Sequence, residues 1–119
     1  MIARLMGLST ISPHDLYGLI QEGKAVAIDV NAPSSWNEAR VPGAVNLDPV
    51  AYEPADLPLD KAALVVFYCS NPLCSKAPKA AKRALMLGHE NVRVMSAGIS
   101  GWLSARLPTE SGAQASASV

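Results

Sequence analysis

The stretch Leu64-Val65-Val66-Phe67-Tyr68-Cys69-Ser70-Asn71-Pro72-Leu73-Cys74-Ser75-Lys76 decides how the rest of the chain is read. Its first five residues are a continuous apolar run, the strongest strand signal in the sequence. The run ends at Cys69. Ser70 to Cys74, with Asn71 and Pro72, read as a loop. Ser75 is placed to cap a helix that reaches about Leu87. Pro78 is tolerable there because it falls in the first turn. Ala81, Ala84, Leu85 and Gly88 line its packed side, and Gly88 stops it.

Working outward, the same alternation of strand and helix recurs. Ser12-Pro13-His14-Asp15 is a helix start: Ser12 accepts from first-turn amides, Pro13 suits the first helical position, and Asp15 favours the positive helix end. Leu16, Leu19 and Ile20 form its apolar stripe, and Gly23 ends it. Ala25-Val26-Ala27-Ile28-Asp29-Val30 reads as a strand covered on both faces. A short helix is predicted over Trp36-Asn37-Glu38-Ala39, and a Pro42-Gly43 turn leads into the short strand Ala44-Val45-Asn46-Leu47. Residues 48–62 carry three prolines and four acids and read as a surface connection. Asn91-Val92-Arg93-Val94-Met95 is a further strand. Gly98 and Gly101 punctuate a last helix ending near Arg106. The tail from Thr109 is rich in Ser, Ala and Gly and is expected to be mobile. The division is an N-terminal segment, 1–10, one domain, 11–108, and a tail, 109–119. Strands alternating with helices imply an α/β fold with a mostly parallel central sheet flanked by helices on both faces. In such sheets ligands bind beyond the carboxyl ends of strands, and Cys69 is such an end.

Composition narrows the function. The chain has 119 residues, half of them hydrophobic and 17% charged, with ten basic residues balancing ten acidic ones. One domain with an ample core follows. A zero balance argues against a nucleic-acid binder. No apolar run approaches the ~20 residues of a membrane span. The N-terminus, MIARLMGLSTIS, lacks the features of a signal peptide, so a cytoplasmic protein is expected. The charge is nevertheless uneven. Residues 1–60 carry eight acids and three bases, and residues 61–119 carry seven bases and two acids. Lys76, Lys79, Lys82 and Arg83 cluster on one helix, either as a solvated face or as a local attraction for a small anion.

Two cysteines are too few for a structural framework. With His14 and His89 far off in sequence they give no metal-ligand spacing, so neither a metal nor a cofactor is expected. Cys69 and Cys74 are five apart, unlike a C-x-x-C redox motif. A Cys between a strand end and a helix N-terminus faces unpaired amides and a positive helix end, which favour its thiolate. Lys76 adds to the effect. The same amides can hold an anionic substrate. The competing reading is a buried, inert Cys that merely finishes a strand.

Five motifs in order give the chain a family resemblance. They are Ile11-Ser12-Pro13 with the helix after it, Ile28-Asp29-Val30, Val41-Pro42-Gly43-Ala44-Val45-Asn46, Val65-Val66-Phe67-Tyr68-Cys69 and Gly98-Ile99-Ser100-Gly101-Trp102. Over residues 11–108 the chain resembles a single-domain rhodanese of the sulfurtransferase family. The resemblance implies a rhodanese-like fold and a persulfide mechanism. Cys69 would be the catalytic nucleophile, attacking the outer sulfur of thiosulfate or a persulfide donor and passing it to cyanide or a thiol. Its partners would be a small anionic sulfur donor and a thiol acceptor. Ser70, Asn71, Leu73, Cys74 and Ser75 would surround the sulfur, with Lys76 as the cation. Asp29 would fix the fold by accepting hydrogen bonds. Trp36 and Trp102 read as packing residues, and His14 and His89 as surface residues at helix ends.

The loop departs from the family's common one. It is two residues longer, lacks Gly and Arg, and carries Pro72, which donates no N–H. Lys76 binds an anion as a point charge rather than a planar fork. Asn31 stands where the family often has Arg, and Arg40 near a position often held by His. Cys74 is a resolving thiol, the sulfur carrier itself, or an incidental small residue. The altered loop keeps two other readings open: a non-catalytic binding or regulatory module, and a thiol redox switch of Cys69 and Cys74. A phosphatase of the Cys-x5-Arg type needs an Arg that neither Ser75 nor Ala80 supplies.

Overall fold

The computed structural model describes residues 2–113. Five parallel strands form one sheet: β1 (Ser9–Thr10), β2 (Val26–Asp29), β3 (Val45–Asn46), β4 (Leu64–Tyr68) and β5 (Asn91–Val94), in the order β1-β5-β4-β2-β3. The helices are α1 (Ile2–Leu5), α2 (Pro13–Gln21), α3 (Pro33–Glu38), α4 (Lys76–Met86) and α5 (Gly98–Ser104). β4 lies at the centre, and its side chains alternate between two cores. Val65, Phe67 and Cys69 pack with Ala3 of α1 and Ala77, Ala80, Ala81 and Ala84 of α4. Val66 and Tyr68 pack with Leu16 of α2 and Trp102 of α5. Alanines on the inner face of α4 let that helix lie close over β4.

The local signals translate into identifiable bonds. Ser12 Oγ accepts the Asp15 amide at 3.1 Å. Gly23 and Gly88 both take positive φ, which lets the chain fold back on the helix end. After α2 the Lys24 N–H reaches the Leu19 carbonyl at 2.8 Å, and after α4 the His89 N–H reaches that of Ala84 at 3.1 Å. These are the six-to-one bonds of a glycine-terminated helix. No helix among the described residues is long and apolar enough to cross a membrane.

Several expectations change. The N-terminal segment is part of the globule: Ala3 and Leu8 are buried, and β1 pairs with β5. The connection over residues 48–62 sends Tyr52 and Leu57 into the core. The Tyr52 hydroxyl donates to the Ala80 carbonyl at 2.7 Å, and Arg83 donates to the Tyr52 carbonyl, so Arg83 fastens this loop to α4. His89 is buried rather than on the surface, because the turn after Gly88 rolls it inward. Ser75 caps α4 by position alone, with no side-chain bond to the first turn.

The tail expected to be mobile from Thr109 begins as a strap. Arg40 and Glu110 form an antiparallel bridge with both amides paired at 3.0 Å. The Arg40 guanidinium is 1% exposed. It lies 3.8 Å from the Trp36 ring centroid and donates to the Trp36 and Gly112 carbonyls. Residues 114–119 lie outside the described part. Arg40→Ala removes the part-buried bonds to the Trp36 and Gly112 carbonyls, each contributing about 0.5–1.5 kcal/mol, together with the stacking on Trp36. A lowered Tm and faster proteolytic cutting after Leu107 are the expected results, read by thermal melting and limited digestion.

Candidate active site

The carboxyl ends of β2 and β4 are paired in register, Asp29 opposite Tyr68. Two residues further on, Asn31 and Ser70 therefore meet. Ser70 Oγ donates to Asn31 Oδ1 at 3.0 Å. Asn31 is itself fixed: its amide donates to Asp29 Oδ1 at 2.8 Å, and Asn46 Nδ2 donates to the carbonyls of Asp29 and Asn31. Asp29 thus accepts a loop amide at the end of β2. It is fully buried, and burial pushes its carboxyl above the ordinary range despite the Tyr68 and Asn31 groups that favour its charge.

From the other side, α5 grips the same backbone. The Ile99 and Ser100 amides donate to the Cys69 and Ser70 carbonyls at 2.9 and 3.0 Å. Gly98 sits at φ +68°, and a Cβ there would lie 2.5 Å from Ser70 C and O. Only glycine satisfies both demands. This accounts physically for the Gly98 that opens the last helix.

Beyond Ser70 the loop turns on Asn71. Its side chain accepts the Leu73 amide at 2.9 Å, and its carbonyl accepts the Cys74 amide at 3.1 Å. These two amides are therefore occupied within the loop rather than offered to a ligand. Leu73 is 80% exposed and points outward. The turn brings Cys74 back beside Cys69. Both are free thiols, Cys69 buried and Cys74 half-buried.

The two sulfurs are within hydrogen-bonding reach and do not share their surroundings equally. Burial pushes Cys69 up to about 12. The neighbouring Cys74 sulfur adds to this, and the Ala77 and Ser70 amides offset it only in part. Burial acts against the Cys74 charge as well. It is outweighed by the Cys69 thiol, the Lys76 and Ser70 amides and the Lys76 ammonium, so Cys74 falls below its ordinary value. The amide dipoles expected to ionise Cys69 are thus divided between both thiols, and of the two thiolates they favour that of Cys74. Lys76 is the cation beside it.

Cys69 and Cys74 line one narrow cleft with Asn71, Pro72, Ala77 and Met95. Its free volume is about 10 Å³, room for one small atom or a single water. A broader, separate depression of about 410 Å³ is bordered by Asn31, Pro33, Asp48, Val50 and Lys76; it shares no lining residue with the cleft, and Lys76, whose ammonium acts on Cys74, is the link between them. No group of three or more His, Cys, Asp or Glu side chains among the described residues is placed to hold a metal ion. Asn31 is the site residue whose role the sequence did not reveal. The signal for it is the β2–β4 register, which appears only once the strands are paired.

The rhodanese-like domain family matches residues 12–105. The chain belongs to that family. No curated protein sequence matches it. Among solved structures it is similar to a Bacillus halodurans protein, with TM-score 0.79 and 24% identity over 88% of this chain and 78% of that one. It is also similar to a thiosulfate sulfurtransferase of Pseudomonas aeruginosa, with TM-score 0.78 and 27% identity over 91% of this chain but only 20% of that one. A third is a 3-mercaptopyruvate sulfotransferase of Escherichia coli, with TM-score 0.75 and 20% identity over 91% and 52% of the two chains.

Three outcomes are expected. Gly98→Ala forces the Ser70 backbone away from α5; a lowered Tm is expected together with slower Cys74 alkylation, read by melting and iodoacetamide labelling. In wild type, alkylation of Cys74 should set in at lower pH than for an ordinary thiol, while Cys69 stays unreactive until strongly alkaline conditions. Cys69→Ala removes a donor to the Cys74 thiolate, so the Cys74 midpoint should move to higher pH, read by mass spectrometry of labelled peptides.

Proposed function

We propose that this protein is a sulfurtransferase that moves sulfane sulfur on the Cys69–Cys74 pair, with Cys74 making the attack. The observation that carries this reading is access: of the two thiols lining the cleft, Cys74 is the one partly open to solvent, and its surroundings favour its thiolate. Cys69, at the strand end matching the family's catalytic position, holds the proton and donates toward Cys74.

The Cys74 thiolate attacks the outer sulfur of thiosulfate or of a small persulfide. The bond between that sulfur and the rest of the donor breaks, and sulfite or a thiolate leaves with the electron pair. The added sulfur is one atom, which suits the cleft between the thiols. Its charge is met by the Ser70 and Lys76 amides and by the Lys76 ammonium, the same groups that favour the thiolate. The donor's anionic remainder stays in the depression beside Lys76. A thiol acceptor then attacks the outer sulfur, and Cys74 is restored as thiolate. The likeness to a thiosulfate sulfurtransferase supports this chemistry. A small anionic donor and a thiol acceptor are the partners it requires.

Intact-mass measurement after thiosulfate treatment provides the test. Wild type should gain one sulfur atom and Cys74→Ser none. Cys69→Ser should still gain it, more slowly at neutral pH. A Cys74→Ser protein that loads as fast as wild type overturns the role of Cys74. Wild type that gains nothing from thiosulfate or a small persulfide overturns sulfur transfer and leaves a binding module.

A further inference from the structure

Cys69 is a second thiol that the transfer cycle does not consume. It is buried, faces the same one-atom cleft as Cys74, and shares the Ser70 amide with it. Cys69 and Cys74 are the two thiols among its lining residues; Ser96 adds a hydroxyl, a far weaker nucleophile toward sulfur. When sulfur is loaded on Cys74, the thiol that faces its inner sulfur across the cleft is Cys69. Ser70 stays clamped, and bringing the sulfurs together asks movement only of the turn beyond it, where Asn71, Pro72 and Leu73 are exposed.

We infer that Cys69 resolves the Cys74 persulfide, releasing the transferred sulfur as sulfide and closing a Cys69–Cys74 disulfide. The inference rests on the sulfurtransferase reading and adds to it the fate of the sulfur and the class of the final reductant. Cys69 sulfur bonds to the inner sulfur of Cys74, and the bond from that atom to the outer sulfur breaks. The electron pair and the Cys69 proton leave with the outer sulfur as hydrogen sulfide. The sulfane sulfur is reduced, and the two cysteine sulfurs are oxidised to the disulfide. A dithiol reductant then supplies two electrons and two protons to reopen the site. Loading itself prepares the step: it moves the negative charge outward by one S–S bond, about 2.05 Å, away from the Cys69 sulfur. Burial still opposes ionisation of Cys69, so resolution should be slower than loading. A faster external thiol acceptor intercepts the persulfide first. The disulfide form cannot load sulfur, so turnover ties the site to the supply of reducing dithiol.

The test uses the full chain under anaerobic conditions with thiosulfate and no thiol acceptor, followed by intact mass and a sulfide-specific assay. Wild type should first gain one sulfur atom, then end two hydrogens lighter than the starting dithiol, with one sulfide released per chain. Dithiothreitol should restore the starting mass. Cys69→Ser and Cys69→Ala should stop at the persulfide and release sulfide only when dithiothreitol is added; the Ala variant guards against poor folding of a buried serine. A wild-type persulfide that persists without sulfide release overturns the inference and leaves sulfur transfer standing. Equal disulfide formation without thiosulfate overturns it as well. Failure of wild type and both Cys69 variants to gain sulfur overturns the underlying function instead.

Discussion

Ser70 is held from two directions, and the site depends on that grip. On one side its hydroxyl bonds to Asn31, which is fixed by Asp29 and Asn46. On the other its carbonyl accepts from Ser100, and its backbone lies against the bare α-carbon of Gly98. The Ser70 amide can therefore be aimed at both sulfurs without relaxing toward either. A free loop would follow whichever sulfur carries charge. A clamped one makes the two thiols compete for a fixed set of donors, and burial decides the competition against Cys69.

The clamp draws on residues far apart in sequence, and the sheet makes it possible. Parallel pairing of β2 with β4 brings the ends of both strands to the same edge. α5 arrives at that edge because β5 lies on the other side of β4. The two cores, one beneath α1 and α4 and one beneath α2 and α5, hold β4 between them. Cys69 continues the alternation that buries Val65 and Phe67, so its direction follows from the strand.

What the sequence disclosed follows the strength of local signals. β4, α2 and α4 were legible because a long apolar run, a Ser-Pro start and helix-ending glycines are local features with one physical meaning each. β1 was not, because two residues carry no periodicity. Tyr52 and Leu57 sit among prolines and acids, and only packing against α4 shows that they are core. Arg40 stood out only as lying near a position often held by His; its partners are the neighbouring Trp36 and the distant Gly112, which only the folded chain brings together. In the site, the two thiols and Lys76 were legible from the strand–loop–helix pattern. Which sulfur carries the charge was not, because it depends on burial and on a contact across a loop whose curvature the sequence leaves open.

The cleft between the thiols also bears on what the protein can tell apart. On the proposed sulfur-transfer reading, a space of about 10 Å³ would hold the travelling atom and exclude the molecule it came from. The interior is therefore indifferent to the donor's bulk, shape and remaining charge. On that reading discrimination would fall to an outer rim, the depression beyond Lys76, where Asn31, Asp48, Val50 and Lys76 would meet whatever is left behind. Chemistry and selectivity are thus lodged in separate compartments, and the rim can diverge to suit a new supplier while the inner machinery stays untouched.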